Sequence, residues 1–399
     1  MPWQSPCLVA RRRIPVRALS IRPLTLAVCK ECGVGALRLL GVFRLFRWIN
    51  RNRLVILTYH SVLPADRSID AGEARNVVDE GMFAWQMRYL AKHYCCLRLE
   101  DAVALLRKGR SLPRHSVVVT FDDGFRNNVR YALPILRRHR VPATMFLTTG
   151  HIGRGVHLLW TERVGRLIRR AQLPQTVHIS AGAEPLTLSF RTAAKRDEAA
   201  RVVMKRLKSM PSLRRDAAID ELETQLARAD REHDAADVDA ERYTFMTWSE
   251  ARELALGGMT IGSHTVEHPI MSSLDDDRSE FEVVASRQEI EEQLGVRCTL
   301  FSYPNGTADD FGDRDKANLQ KAGYLAAVTQ IAGVNDARAD LFALRRVNIG
   351  RGHGRHLFAA QVSGFWPWLR SHAAARPALK TMPAVVLARV SPNGPREAA

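Results

Sequence analysis

"VVVTFDDGFRNN", residues 117–128, sets three consecutive valines before two adjacent carboxylates, Asp122 and Asp123, and a glycine. A run of β-branched residues is what a strand buried on both faces requires, and such strands belong to parallel sheets covered by helices. The aspartates then fall at the C-terminal end of that strand. In α/β sheets and barrels the loops at this end converge on an open mouth where chemistry is built. Asp-Gly is also common turn chemistry, so the dipeptide alone leaves a plain turn open.

The text on either side alternates strand and helix patterns. "LVILTYHSV" (54–62) reads as a strand with His60 near its far end, and "EGMFAWQMRYLAKHY" (80–94) as an amphipathic helix with Phe83, Met87 and Leu90 on one face. A helix over 100–109 stopped by glycine, the Val117 strand, a helix over 128–140 and a strand over 143–150 follow. Such alternation predicts parallel β-α units. From about 157 to 242 charges become dense and strand-like runs nearly vanish, which predicts an inserted helical segment. The alternation resumes with a helix (249–258), the strand in "MTIGSHTVEHP" (259–269), a helix over 275–294, "CTLFSYPNG" (298–306), a helix ending at Gly323, "LAAVT" (325–329) and "FALRRVNIG" (342–350). The expected organisation is a basic arm over 1–53, a catalytic domain over 54–370 and a mobile tail over 371–399.

With 399 residues, 46% hydrophobic and 25% charged, the composition is that of a globular protein with a sizeable core. Much of its net charge of +17 is concentrated in the arm, where residues 1–53 hold ten arginines and one lysine against one acid, Glu31. No apolar run reaches the roughly 18–20 residues a membrane-spanning helix needs, and no clear signal peptide is evident. Residues 37–53, "LRLLGVFRLFRWINRNR", place Arg44, Arg47 and Arg51 on one helical face and apolar residues on the other, a pattern suited to an anionic membrane surface or to packing on the protein body. The six cysteines form no framework: Cys29–Cys32 is a lone C-x-x-C, which argues against a zinc ribbon and fits a reducing compartment. A cytoplasmic or membrane-peripheral location is the expectation. The arm's arginines alternate with bulky aliphatics and no recognised module appears, so a nucleic-acid partner is not expected.

His264 and His268, three residues apart, follow the strand that begins at Met259. Two imidazoles and a carboxylate leave coordination positions free for water and substrate. "HTVEH" also matches H-x-x-E-H, the inverted zinc-peptidase pattern with Glu267 as base, but that needs a helix. Here β-branched Thr265 and Val266 and then Pro269 predict a loop.

"TFDDG", "SHTVEH" and "FSYPNG", in this order, resemble the first three motifs of the polysaccharide deacetylases, the carbohydrate esterase group that shares the NodB homology domain. The resemblance covers roughly 54–156 and 243–350. It implies a distorted (β/α)7-type barrel, here with a helical insertion, and a divalent metal, usually zinc, held by Asp123, His264 and His268. Asp122 would be the general base, and Tyr303 and Asn305 lie in the motif that supplies the oxyanion-binding N–H. The implied reaction is hydrolysis of N-acetyl groups on a bacterial-type glycan, releasing acetate and a free amine, with the metal acidifying a water and polarising the amide oxygen. O-acetyl hydrolysis, or a weakly active glycan-binding member at a membrane, are the alternatives. The chain departs from the commoner family pattern: Ser302 stands where an arginine usually orients the base, the fourth motif is absent, and so is the late Leu-x-His that supplies the general acid. It is more similar to the exopolysaccharide deacetylases that begin with a Tyr-His strand and end with a Leu-x-Arg strand. That similarity implies His60 as acid and Arg346, with or without Arg345, in the electrostatic role.

Overall fold

The computed structural model describes residues 33–67, 69, 74–171, 173–180, 185–227 and 239–375. Cys29–Cys32, the first 32 residues of the basic arm and the tail from 376 onward lie outside the described residues. Seven parallel strands form a ring: β1 (Val55–Tyr59), β2 (Ser116–Phe121), β3 (Ala143–Leu147), β4 (Thr260–Ser263), β5 (Leu300–Ser302), β6 (Ala326–Ala332) and β7 (Leu344–Asn348). Each strand neighbours the next in sequence, and β1 pairs with both β2 and β7, which closes the barrel. Closure leaves no exposed edge along the ring.

Alternation along the strands explains the three valines. Val117 and Val119 join Val55, Leu57 and Tyr59 in the layer under the surrounding helices, where Phe83, Met87 and Leu90 of helix Glu80–His93 meet them. Val118 belongs to a separate cluster with Ile56, Phe146, Leu300, Val328 and Leu344, joined by Leu99, Val103 and Leu106 of helix Leu99–Arg107. Both faces of β2 are dry, and burial of each such side chain is worth about 1.5–3 kcal/mol. The same alternation carries Val118 on to Asp122, Leu300 to Ser302 and Leu344 to Arg346, so the apolar interior gives way to buried polar groups at the C-terminal end.

Three local readings are corrected. The strand foreseen over 54–62 breaks at His60, and Ser61–Leu63 pairs with Val77–Asp79 in a small sheet of its own. The segment between β3 and β4 is not purely helical. Besides helices Trp160–Arg170, Ala193–Lys208 and Ser212–Ala227 it holds an antiparallel hairpin, Gln175–Ile179 with Leu186–Phe190. Each hairpin strand alternates buried and exposed residues, a period that the flanking charge density obscures. Val177 and Phe190 pack with Val164, Ile168, Val203 and Leu222 in a core separate from the barrel's. Finally, helix Val42–Ile49 has two apolar faces, because Arg44 and Arg47 are its only polar residues. Phe43 and Phe46 pack on Phe365 of helix Phe365–Ala375, Arg47 turns inward over the Tyr94 ring, and Leu45, Trp48 and Ile49 face solvent. Among the described residues no helix is long and apolar enough to cross a membrane.

Candidate active site

The turn after β2 separates the two aspartates. Asp122 N–H still donates to Tyr59 O at 3.0 Å, extending the β1–β2 ladder by one residue. Asp123 and Gly124 then take φ of 76° and 95°. Two successive left-handed residues turn the chain sharply, and Asp and Gly are among the residues that accept that conformation. At Gly124 a Cβ would also lie 3.1–3.2 Å from Ile152 and Leu147. Asp-Gly is therefore a turn, and the turn sends neighbouring carboxylates to different partners.

Asp122 is 1% exposed and meets Arg346, which is fully buried. Arg346 Nη1 and Nη2 donate to its two oxygens at 2.8 and 2.6 Å, Gln330 Nε2 adds a bond at 3.2 Å, and Ser302 Oγ lies at 3.4 Å. Burial alone would raise the Asp122 pKa, but the guanidinium, aided by His264, outweighs it and holds the carboxyl well below the usual carboxylate range. Arg346 is itself fixed by Thr329 O, Thr120 Oγ1 and Ser302 Oγ. Alternation on β7 distinguishes the two arginines that the sequence left together: Arg346 points into the barrel and Arg345 is exposed. Ser302, at the position where the resemblance anticipates an arginine, bonds to the arginine that β7 supplies.

Asp123 faces the two histidines. Its Oδ1 lies 3.6 Å from His264 Nε2 and 3.6 Å from His268 Nε2, and the three donor atoms fall within 4.8 Å of one another. His264 N–H bonds Leu147 O at the end of β3, and its Nδ1 lies 2.7 Å from Ser302 O. That contact places the ring proton on Nδ1 and leaves the Nε2 lone pair toward Asp123. Burial lowers the pKa of both histidines, which favours neutral imidazoles. Two neutral imidazole nitrogens and a carboxylate oxygen at this spacing fit a divalent cation. Thr265 and His268 have φ of 69° and 55°, so 264–268 is a loop and not the helix that a zinc-peptidase motif needs. Glu267 turns instead toward His151 and Arg154.

What holds this loop was not legible. Glu282, buried in helix Asp276–Leu294, accepts the N–H groups of Val266 and Glu267 at 2.7 and 3.0 Å. From the other side Thr149 and Gly150 donate to Thr265 O and Val266 O. A Cβ at Gly150 would stand 2.7 Å from Glu267 Oε1 and 2.8 Å from Val266 O, so the loop's close approach requires glycine there. The segment "TTGHIGRG", residues 148–155, thus supports the loop that carries His268.

Asp122, Asp123, His264 and His268 open into a cavity of about 240 Å3, whose lining also includes His60 and Asn305. His60 sits at the break after β1, its Nδ1 buried without a hydrogen-bond partner. Burial lowers its pKa to about 3, with Asp122 opposing and Arg346 reinforcing the shift. Asn305 has φ 57° and an unpartnered Nδ2. Tyr303 is not brought to the cavity: its ring stacks on Phe311 at 4.1 Å, its hydroxyl donates to Phe342 O and its N–H to Val328 O. The oxyanion-donor reading of Tyr303 therefore meets an N–H already committed to the β5–β6 ladder. Residues absent from the sequence reading also line the cavity, among them Arg75, Gln330, Asn348 and, from the insertion, Glu162 and Lys208. Gln330 and Asn348 were findable, since each lies two residues beyond an inward position at a strand end. Glu162 and Lys208 carry no such signal.

Residues 109–182 and 227–327 match the family model described as polysaccharide deacetylase. Over these residues, which hold both the Asp122-Asp123 turn and the His264–His268 loop, the chain is similar to the polysaccharide deacetylases. It is a carbohydrate deacetylase, a hydrolase. YxkH of Bacillus subtilis (strain 168) is 20% identical over 319 residues, covering 79% of each chain. The poly-beta-1,6-N-acetyl-D-glucosamine N-deacetylase of Staphylococcus aureus (strain MSSA476) is 32% identical over 111 residues, which are 26% of this chain and 38% of that protein. Among solved structures, the Streptococcus pyogenes deacetylase PplD in complex with acetate superposes with a TM-score of 0.51 at 17% identity, covering 78% of this chain and 99% of that one, and shares the fold.

Proposed function

We propose that this deacetylase removes N-acetyl groups from a glycan with the help of a divalent metal held by Asp123, His264 and His268, zinc being well suited to these N and O donors. The observation that carries the reading is that the donor triad and Asp122, paired with Arg346, line one cavity. Such an ion would polarise the acetamide carbonyl and acidify a water. Asp122, ionised and held by Arg346, accepts the proton of the attacking water. His60 is neutral at rest, so the proton it passes to the leaving nitrogen is the one that Asp122 takes from the attacking water and hands on, the Asp122 carboxylate favouring the transient imidazolium. The Nδ2 of Asn305 is a free donor for the developing oxyanion. Proton transfer to nitrogen accompanies C–N cleavage, and acetate and a free amine leave.

A second cavity of about 550 Å3 adjoins the first at Leu159 and is lined by Trp160, Arg163 and Glu223 of the insertion and by Glu267 and Arg278 beside the metal-ligand loop. It gives a polymeric substrate room beyond the reacting sugar. The test is acetate release from a panel of N- and O-acetylated glycans, with metal analysis of the purified protein. Release from N-acetylated substrates that stops on chelation and returns with a divalent ion is expected. Release that persists in fully metal-free protein, or that is confined to O-acetyl substrates, would refute the reading.

A further inference from the structure

Six of the twelve large apolar side chains that are exposed among the described residues lie on two segments in contact with each other, residues 39–49 and helix Phe365–Ala375. Leu39, which ends the helical stretch 33–39, and Leu40, in the turn before helix Val42–Ile49, are 91% and 78% exposed, and Leu45, Trp48 and Ile49 form the outer face of that helix. Trp368, on the neighbouring C-terminal helix, is in ring contact with Phe46 at 5.2 Å, and a cavity of about 540 Å3 runs between Ile49 and Trp368. An apolar patch of this kind on a soluble surface marks a contact site.

The two segments that carry the patch hold charge of one sign. Residues 33–53 and 355–375 contain seven arginines and no Asp or Glu. Arg44, Arg53 and Arg370 are exposed, and Arg51 stacks over the Trp48 ring at 4.3 Å. Two such faces would repel one another, which disfavours a second copy as the occupant. The preceding segment, residues 1–32, is also basic, with five arginines and one lysine against Glu31, so it too is poorly matched to cover the patch. A surface that offers negative charge with an apolar layer beneath it satisfies both features. Leucine, isoleucine and tryptophan beside arginine are the residues that seat a helix at the boundary between headgroups and acyl chains.

We infer that Leu39, Leu40, Leu45, Trp48, Ile49 and Trp368, with the arginines around them, form a docking face for an anionic lipid bilayer, holding the deacetylase at a membrane surface. Phe43 and Phe46 anchor the helix to the body, so the outer residues are free to enter lipid without unfolding the barrel. The face lies on residues 39–49 and helix Phe365–Ala375 and uses no residue of the catalytic cavity, so it stands or falls independently of the reaction.

The experiment is cosedimentation of the full chain with vesicles of phosphatidylcholine alone or with about one third phosphatidylglycerol, alongside the Leu45→Ser/Trp48→Ser/Ile49→Ser variant and an Arg44→Gln/Arg51→Gln/Arg53→Gln variant. The parent is expected to bind the anionic vesicles and to be released near 1 M salt, where the Debye length is about 3 Å. Both variants should keep the parent melting temperature, and the serine variant should partition at least about a hundredfold less, because three apolar side chains that are each about half exposed would no longer enter lipid. No binding by the parent, equal binding to neutral vesicles, or equal binding by the serine variant would overturn the proposal. So would a parent that is dimeric in solution where the serine variant is monomeric, since a second copy would then occupy the face.

Discussion

The pair Arg346–Asp122 allows a quantitative test of how the site is built. Every donor direction of the guanidinium is used: Nε on Thr329 O, Nη1 on Thr120 Oγ1 and Asp122 Oδ1, Nη2 on Asp122 Oδ2 and Ser302 Oγ. Arg346→Met removes the cation at similar volume and leaves the Asp122 carboxylate buried with only Gln330 and Ser302 as side-chain donors. Removing one member of a buried pair costs about 3–5 kcal/mol, because the other charge stays desolvated. Asp122→Asn leaves the guanidinium in the same position and should cost a similar amount. The double variant has no buried charge left to strand, so its cost should fall short of the sum of the singles by at least about 2 kcal/mol. Urea unfolding of the metal-free protein at pH 7 measures all four corners. The pH dependence has a definite sign. The folded pKa of Asp122 is depressed, so its stabilising contribution is complete above the unfolded value of about 3.9 and is lost as pH falls through the folded value. In Arg346→Met the carboxyl pKa rises, and the gap to the parent should narrow as pH drops through that raised value. Additive single-mutant costs, or a gap that is constant down to about pH 3, would show that the pair is not the electrostatic unit described.

Three other outcomes are expected. His264→Ala should lose its metal by elemental analysis, whereas Asp122→Asn should keep it and still lose acetate release by about 10²–10⁴-fold; metal retained in His264→Ala would reject the ligand set. Glu282→Ala removes the shared acceptor of two N–H groups of the ligand loop, so metal affinity should weaken about 10–100-fold while Glu282→Gln, which keeps an acceptor, stays near the parent; equal affinities in all three would mean the clamp is irrelevant. His60→Ala should slow amide substrates by about 10²-fold or more yet spare activated esters, whose leaving groups need no proton, and proportional losses on both would assign His60 a structural role.

The elements that were legible are those whose signal is local. Val117–Val119 announce a strand dry on both sides, and Asp122-Asp123-Gly124 announce both a turn and a carboxylate pair, because each fact is written within a few residues. The parallel β-α units follow from repetition of that pattern, whereas closure into a ring of seven is implied only by the resemblance to the polysaccharide deacetylases; the loop conformation at His264–His268 follows from Thr265, Val266 and Pro269. The hairpin at Gln175–Phe190 escaped because its period of two lies inside a charge-rich stretch and its apolar partners, Val164, Val203 and Leu222, belong to helices far along the chain.

The partners of the site were less legible for a related reason. An arginine in "FALRRVNIG" can be a surface charge or a buried one, and only the register of β7 against β6 and β1 turns Arg346 inward and Arg345 outward. The same logic applies to Glu282, which is one acid among many on helix Asp276–Leu294 until the fold sets it under two N–H groups of a loop 15 and 16 residues away. Tyr303 shows the converse. Its place in a motif made it a candidate for the oxyanion, yet a residue in the ladder has its N–H spent on the neighbouring strand, whereas Asn305, two residues on and past the strand end, has a donor to spare. Sequence thus identifies the groups that carry charge at a strand end, and the register of the barrel decides which of them face each other. In this chain that register lets an arginine from β7 meet the aspartate after β2, with Ser302 on β5 bonded to both, so Asp122 has a guanidinium partner although the third motif supplies none.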